Sequence, residues 1–329
     1  MGRPRTDEAA YRAAEAALWS RHGLEPQELW VPVPGLGIRV RALVHGEGRP
    51  VVFVHGTPTA GGVFVPLVRE LRGVKAIVVD RPGCALSEPL DVESLTPEGL
   101  WHATAASLGA VVEEVVGGSA DVVGSSAGGM AALVLAARRP ELVRSVALEG
   151  VPALAGMRLP RPMRAATFAP VAWAVPRHRV TERDLRRSFR AMGHGDAVAD
   201  GKVTPEDVAW RVALGRHTRT YENELALLRR AASWKGLRRE WAVGREVVES
   251  VRAPSLWVVG DRDPFATPQR VAKWAEHAAG SQVRVMEASG HQPWVDDPAA
   301  HARMLSEWWG ALPAAGTVDG GCRESQPTS

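Results

Sequence analysis

The chain has 329 residues, 45% of them hydrophobic and 23% charged, a balance that excludes disordered and fibrous architectures. Its 40 basic and 37 acidic side chains leave a net charge of +3 with no dense Lys/Arg run, so no nucleic-acid partner is expected. No apolar stretch reaches the ~18 residues that a membrane-spanning helix needs, so no membrane partner is expected either.

Residues 7–22 (DEAAYRAAEAALWSRH) predict an Ala-rich helix stopped by Gly23, and residues 1–27 read as a helical extension ahead of the main body. WVPV (30–33) and IRVRALV (38–44) alternate as the arms of a hairpin joined by PGLG. VVFV (51–54), AIVV (76–79), DVV (121–123), VALEG (146–150), LWVV (256–259) and VRVM (283–286) are continuous apolar runs, the pattern of strands covered on both faces. Helix-period segments lie between them at 63–71, 97–116, 127–137, 268–279 and 298–312. Strand alternating with helix predicts a mostly parallel sheet with helices on both faces.

One interval breaks the rhythm. Residues 152–251 contain helical segments at 161–174, 181–192, 205–219 and 222–234 and no clear strand, which predicts a helical insertion between two sheet strands. The main body is then 28–151 together with 252–313, and the small polar residues 314–329 read as a disordered tail. Cys84 and Cys322 are the only cysteines, so a disulfide framework is excluded and a reducing, cytoplasmic setting is expected. Residues 1–12 are polar and show no secretory signal. The preference for Arg over Lys, with heavy use of Ala, Gly, Val and Pro, suggests a high-GC bacterial genome.

Gly124-Ser125-Ser126-Ala127-Gly128 is a G-x-S-x-G pattern set between a buried strand and a helix. Such a strand-to-helix turn lifts Ser126 to the carboxyl end of the sheet and aims a helix N-terminus at it; a plain turn with a capping serine is the simpler alternative. Ser125 cannot take the role, because Val123 stands two residues before it. His55-Gly56-Thr57-Pro58 follows the strand VVFV, Asp80-Arg81-Pro82-Gly83-Cys84-Ala85-Leu86-Ser87 follows AIVV, Gly260-Asp261-Arg262-Asp263 follows LWVV, and Ser289-Gly290-His291 follows VRVM.

In these motifs and their order the chain resembles the α/β-hydrolase family over residues 28–312. The resemblance implies an eight-stranded, mostly parallel sheet with a helical cap inserted after the sixth strand. It also implies a triad of Ser126, Asp263 and His291, with the backbone N–H groups of Thr57 and Ala127 as the oxyanion hole. Ala85 stands where the family keeps a second glycine, which leaves the tightness of that loop open. Once those groups meet, His291 would take the Ser126 proton and Asp263 would fix the imidazole tautomer. Asp261 and Glu149 are rival acids. Asp261 has a capping role as its alternative, and Glu149 a place in the pocket lining. His301 reads as a solvated or packing histidine, and His55 as a support of the oxyanion turn.

The insertion's aromatic and soft residues, among them Met157, Met163, Phe168, Trp173, Met192, Trp210, Trp234 and Trp241, favour an apolar substrate, although for any one of them a place in the cap's own core is the simpler role. Trp173 and Trp234, with His55 and Glu149, are the candidate pocket residues. No HExxH, paired C-x-x-C, Walker A or G-x-G-x-x-G pattern occurs, so neither metal nor cofactor is expected. The expected function is serine hydrolysis of a carboxylic ester, lactone or thioester of a medium-sized hydrophobic small molecule through an acyl-enzyme. C–C bond hydrolysis, cofactor-free perhydrolysis or aminopeptidase action on the same triad are alternatives. A non-catalytic binding protein on this scaffold is a further one.

Overall fold

A computed structural model describes residues 6–313; the tail expected at 314–329 and Cys322 lie outside the described residues. The chain begins with α1 (Glu8–Arg21), followed by the hairpin β1 (Gln27–Val33) and β2 (Ile38–His45), then β3 (Arg49–Val54), α2 (Val65–Glu70) and β4 (Val74–Val79). Next come α3 (Pro97–Val111), β5 (Ala120–Ser125), α4 (Ala127–Arg138) and β6 (Val143–Glu149). After the insertion follow β9 (Ser255–Gly260), α12 (Pro268–Ala275), β10 (Ser281–Met286) and α13 (Pro298–Ala311).

The strands form one eight-stranded sheet in the order β1-β2-β4-β3-β5-β6-β9-β10. β1 and β2 pair antiparallel, β2 is antiparallel to β4, and every later pairing is parallel. This follows from the covalent chain: a tight turn reverses direction, whereas a helical crossover returns it in the same sense. Val52, Val54, Val122 and Leu148 face one apolar layer with the helical Leu108, Leu133 and Leu135. Val51, Phe53, Val123 and Leu256 face the other, with Trp294, Leu305 and Trp309. Both faces are thus covered, and the central strands can be apolar throughout.

β10 departs from that pattern. It pairs only with β9 at the sheet edge, its residues are half-buried or exposed, and Val285 is 48% exposed. With one neighbour and partial helix cover it does not need a continuous apolar run, and Arg284 already interrupts it.

The N-terminal helix is part of the body. Tyr11, Leu18 and Trp19 are buried in the second apolar layer, and α1 carries Glu15 into a buried ion cluster. There Arg41 pairs with Glu15 at 2.5 Å and with Asp80 at 3.1 Å, and the Tyr11 hydroxyl donates to Glu15 at 2.8 Å.

Between β6 and β9 lie α5 (Arg161–Ala165), α6 (Ala169–Ala174), α7 (Glu182–Ala191), α8 (Gly195–Ala199), α9 (Pro205–His217) and α10 (Thr220–Ala231). Thr181 and Thr204 begin α7 and α9 with reciprocal capping boxes to Asp184 and Asp207. The interval is not wholly helical. A short ribbon, β7 (Ala232–Ser233) with β8 (Gly236–Leu237), turns at Trp234 and Lys235. The last helix of the interval, α11 (Arg245–Ser250), packs on α4 of the body.

Candidate active site

Six strands, β3, β4, β5, β6, β9 and β10, deliver their carboxyl ends to one region. β5 runs into Ser126, whose φ of +52° and ψ of −111° form a strained elbow of the kind that costs of order 1–3 kcal/mol. Two glycines make the elbow possible. A Cβ on Gly124 would strike the Gly128 carbonyl, and one on Gly128 would strike the Val54 carbonyl. The Ser126 N–H donates to Glu149 O at 3.2 Å, which ties the elbow to β6.

Beyond β9, the Asp263 carboxylate has no exposed side-chain surface. Its Oδ2 lies 2.8 Å from His291 Nδ1, and its Oδ1 accepts the Phe265 N–H at 2.8 Å. The Phe265 ring stacks on the imidazole at 4.2 Å between centroids. His291 Nε2 is buried and has no partner among the described residues. No hydrogen bond joins it to Ser126 among the described residues.

The rival acids are placed elsewhere. Asp261 Oδ1 accepts the Ser289 N–H at 3.1 Å, a brace for the loop that carries His291. Glu149 is fully buried, with Oε2 2.9 Å from His301 Nε2 on α13, at an angle that does not suit a hydrogen bond. It therefore faces α13 and not His291. His301 is itself fully buried against Trp294, so the solvated reading of that histidine does not hold.

His55 supports the turn after β3. Its Nε2 accepts the Arg81 N–H at 3.0 Å, which places the ring proton on Nδ1, 2.9 Å from Gly56 O. Burial first, and then the Arg81 charge, push its pKa well below the ordinary histidine value, against the pull of the Gly56 hydrogen bond. The Arg81 guanidinium donates to His55 O, Gly56 O and Thr57 Oγ1, and pairs with Glu224 of α10 at 2.8 Å. Cys84 Sγ donates to the other Glu224 oxygen at 3.3 Å. Neither the Thr57 N–H nor the Ala127 N–H at the start of α4 finds an acceptor among the described residues. Ala85 adopts φ +47°, the conformation for which a glycine is the usual choice, and its N–H donates to Thr220 Oγ1 at 2.8 Å.

Ser126, Thr57 and Ala127 share a cavity of about 80 Å³. Met130 and Phe265 of the body and Met157, Leu159, Met163 and Leu227 of the inserted interval are among its apolar walls, and Glu224 is the one charged group on it among the described residues. The candidate pocket residues His55, Glu149, Trp173 and Trp234 are not among those walls. His55 and Glu149 are turned into the body, and Trp173 and Trp234 are 64% and 52% exposed. A larger cleft of about 480 Å³, between α1, α9 and the start of α13, holds none of Ser126, Asp263 and His291.

Sequence reasoning missed Arg81, Glu224 and His194. Arg81 lies inside a motif that was read for its glycines, and Glu224 reads as a polar residue of an amphipathic helix. His194 carries no pattern at all.

A model of the alpha/beta hydrolase family matches residues 51–304. A pimeloyl-[acyl-carrier protein] methyl ester esterase of Xanthomonas campestris is 27% identical over 272 residues, 82% of this chain and 98% of its own. The enzyme of that name from Stenotrophomonas maltophilia is 28% identical over 291 residues, 84% of this chain and 98% of its own. Among solved structures, naproxen esterase from Bacillus subtilis superposes with a TM-score of 0.68 at 14% identity, covering 92% of this chain and 99% of its own. That likeness is one of fold.

Proposed function

The chain belongs to the α/β-hydrolase family and is a hydrolase of carboxylic esters; from that premise we propose that it cleaves an ester, lactone or thioester of a medium-sized hydrophobic acid through an acyl-enzyme on Ser126. The observation that carries this reading is the buried Asp263–His291 contact, with His291 Nε2 left without a partner. A serine hydroxyl attacks a carbonyl only when a base takes its proton, and an imidazole oriented through its other nitrogen does that. His291 removes the Ser126 proton as the Ser126 Oγ–acyl carbon bond forms. It returns that proton to the leaving oxygen or sulfur as the acyl bond breaks. Water, deprotonated by the same ring, then releases the acid and regenerates Ser126.

The tetrahedral oxyanion needs donors already in place, each worth about 3–4 kcal/mol of transition-state stabilisation. The unpaired Thr57 and Ala127 N–H groups on the cavity beside Ser126 supply them, and the start of α4 favours negative charge there. Arg81 steadies this turn through the His55 and Gly56 carbonyls and is neutralised by Glu224, so its charge does not compete for the oxyanion.

We read the inserted interval as a cap, because Met157, Leu159, Met163 and Leu227 close the cavity over Ser126. Ligand sites usually measure about 300–1,000 Å³, so a medium-sized acyl group enters only as these walls part. The methyl ester esterase relatives support an apolar acyl group joined to a small alcohol.

Intact-mass spectrometry after treatment with a small fluorophosphonate tests the nucleophile. One adduct on the wild type, mapped to Ser126 and absent from Ser126→Ala, is the expected result. Folded wild-type protein that takes no adduct and turns over no p-nitrophenyl ester would overturn the reading in favour of a binding protein.

A further inference from the structure

Trp173 and Trp234 belong to the part of the surface where large apolar side chains gather. Phe168, Val171, Trp173 and Val175 are exposed along α6 and the turn after it, and Trp234 is exposed at the tip of the β7–β8 ribbon. The Phe168 and Trp234 rings meet edge to face at 5.4 Å between centroids, so helix and ribbon form one patch. Among the described residues the only other exposed large hydrophobic side chain is Val285.

The stretch of chain that carries most of them is basic. Residues 150–181 contain Arg158, Arg161, Arg164, Arg177 and Arg179 and no Asp or Glu, and Lys235 adds a cation at the ribbon tip. None of these five arginines forms an ion pair among the described residues, whereas Arg49 and Arg144 share Asp121 and Arg81 has Glu224. Instead the Arg164 guanidinium lies over the Trp234 ring at 5.1 Å and that of Arg177 over Trp173 at 4.2 Å.

We propose that this face docks the protein on an anionic lipid bilayer. Indole and phenyl rings settle at the boundary between headgroups and acyl chains, and guanidinium groups lying along them reach the phosphates above. A folded acidic partner would satisfy the arginines, but it would have to be moulded to rings spread over a helix and a ribbon. α5 has no buried residue and α6 only Ala172, so little packing fixes their shape, and a fluid surface conforms to them without that requirement.

The expectation of no membrane partner rested on the lack of a span, and no described helix is long and apolar enough to cross a membrane. A surface patch needs none. The same stretch of chain turns Met157, Leu159 and Met163 toward the cavity beside Ser126. On the hydrolase reading, an apolar ester dissolved in the bilayer therefore meets the cap before it meets bulk water. The docking itself does not depend on that reading.

Flotation of the full chain with vesicles tests it, with phosphatidylcholine alone against phosphatidylcholine containing about 30 mol % phosphatidylglycerol. The wild type floats with the anionic vesicles, not with the neutral ones, and less as salt rises. Phe168→Ser/Trp173→Ser reduces the bound fraction about tenfold, and Arg161→Glu/Arg164→Glu does the same. Turnover of a water-soluble short-chain p-nitrophenyl ester by the serine variant stays at the wild-type rate and shows that it is folded. Wild type that stays with the unbound protein, or a serine variant that floats like the wild type, overturns the docking surface. Retention on an acidic protein without flotation overturns it in favour of a protein partner. Loss of ester turnover in the wild type would count against the hydrolase reading alone.

Discussion

His194 Nε2 accepts the backbone N–H of Gln292 at 3.2 Å, joining a side chain of the inserted interval to the residue that follows His291. Because Nε2 is the acceptor, the ring proton sits on Nδ1, which donates to Asp296 Oδ2 at 2.7 Å. That oxygen also accepts the Gly290 N–H at 2.9 Å, and the His291 N–H donates to Met192 O at 2.9 Å. Three consecutive N–H groups of the loop are thus held, two of them by Met192 and His194.

His194 is therefore expected to position His291 without touching substrate. His194→Ala should lower kcat about ten- to a hundredfold, the range expected when a catalytic group is misplaced by about an ångström, with little change in KM for a short ester. His194→Gln keeps one donor and one acceptor and should recover most of the rate. Wild-type kcat in His194→Ala would mean that the body alone holds the loop.

The three carboxylates near the elbow should separate cleanly. Asp263→Asn removes the acceptor that fixes the His291 tautomer, and a loss on the order of 10³–10⁴-fold in kcat/KM is expected. Asp261→Asn still offers an oxygen to the Ser289 N–H and should cost less than about tenfold. Glu149→Gln, whose side chain faces His301, should also stay close to the wild-type rate. A near-normal Asp263→Asn beside an inactive Glu149→Gln would transfer the acid role to β6.

Strands and triad candidates were legible because each is local. The buried runs ending at Val54, Val123 and Val259 are apolar over several residues, and each of the motifs at His55, Ser126 and Asp263 directly follows one of them. The pocket was not legible, because helical periodicity marks a segment as amphipathic without saying which neighbour each face meets. Met157 and Met163 turned inward and Trp173 outward from one stretch. Arg81 and Glu224 are 143 residues apart, and no spacing rule joins them. Ala85 was legible as a departure from the family's glycine, and its φ of +47° shows that the loop keeps the tight conformation.

The Arg81–Glu224 pair makes a stability prediction. Burial works against the Arg81 charge, yet Glu224 holds its pKa above the ordinary value, and their side chains are only 12% and 3% exposed. Removing one partner leaves the other charge buried and uncompensated, at a cost of about 3–5 kcal/mol. Glu224→Ala should shift the chemical denaturation midpoint accordingly and lower kcat, since Arg81 also donates to Thr57 Oγ1. Glu224→Gln keeps an acceptor and should fall between. An unchanged midpoint in Glu224→Ala would show that water or a local shift already solvates Arg81.

His55 should make the fold sensitive to mild acid. Its Nε2 must stay unprotonated to accept the Arg81 N–H, and burial, then the Arg81 charge, keep its folded-state pKa well below the ordinary value. In the unfolded chain the ring takes up its proton near pH 6.5, so below that pH the unfolded state binds more protons than the folded one. The contribution is therefore complete above about pH 6.5 and is lost progressively as the pH falls toward the lower folded-state value. Asp80 titrates with the opposite sign in part of this window, since burial raises it to about 6 against the pull of Arg41. The difference between variants, not the raw slope, is thus the quantity to measure. His55→Gln, which can still accept the Arg81 N–H, should start with a lower Tm near neutrality but lose less between about pH 7 and pH 5.5 than the wild type. Parallel Tm curves for the two proteins over that range would show that His55 carries no acid sensitivity.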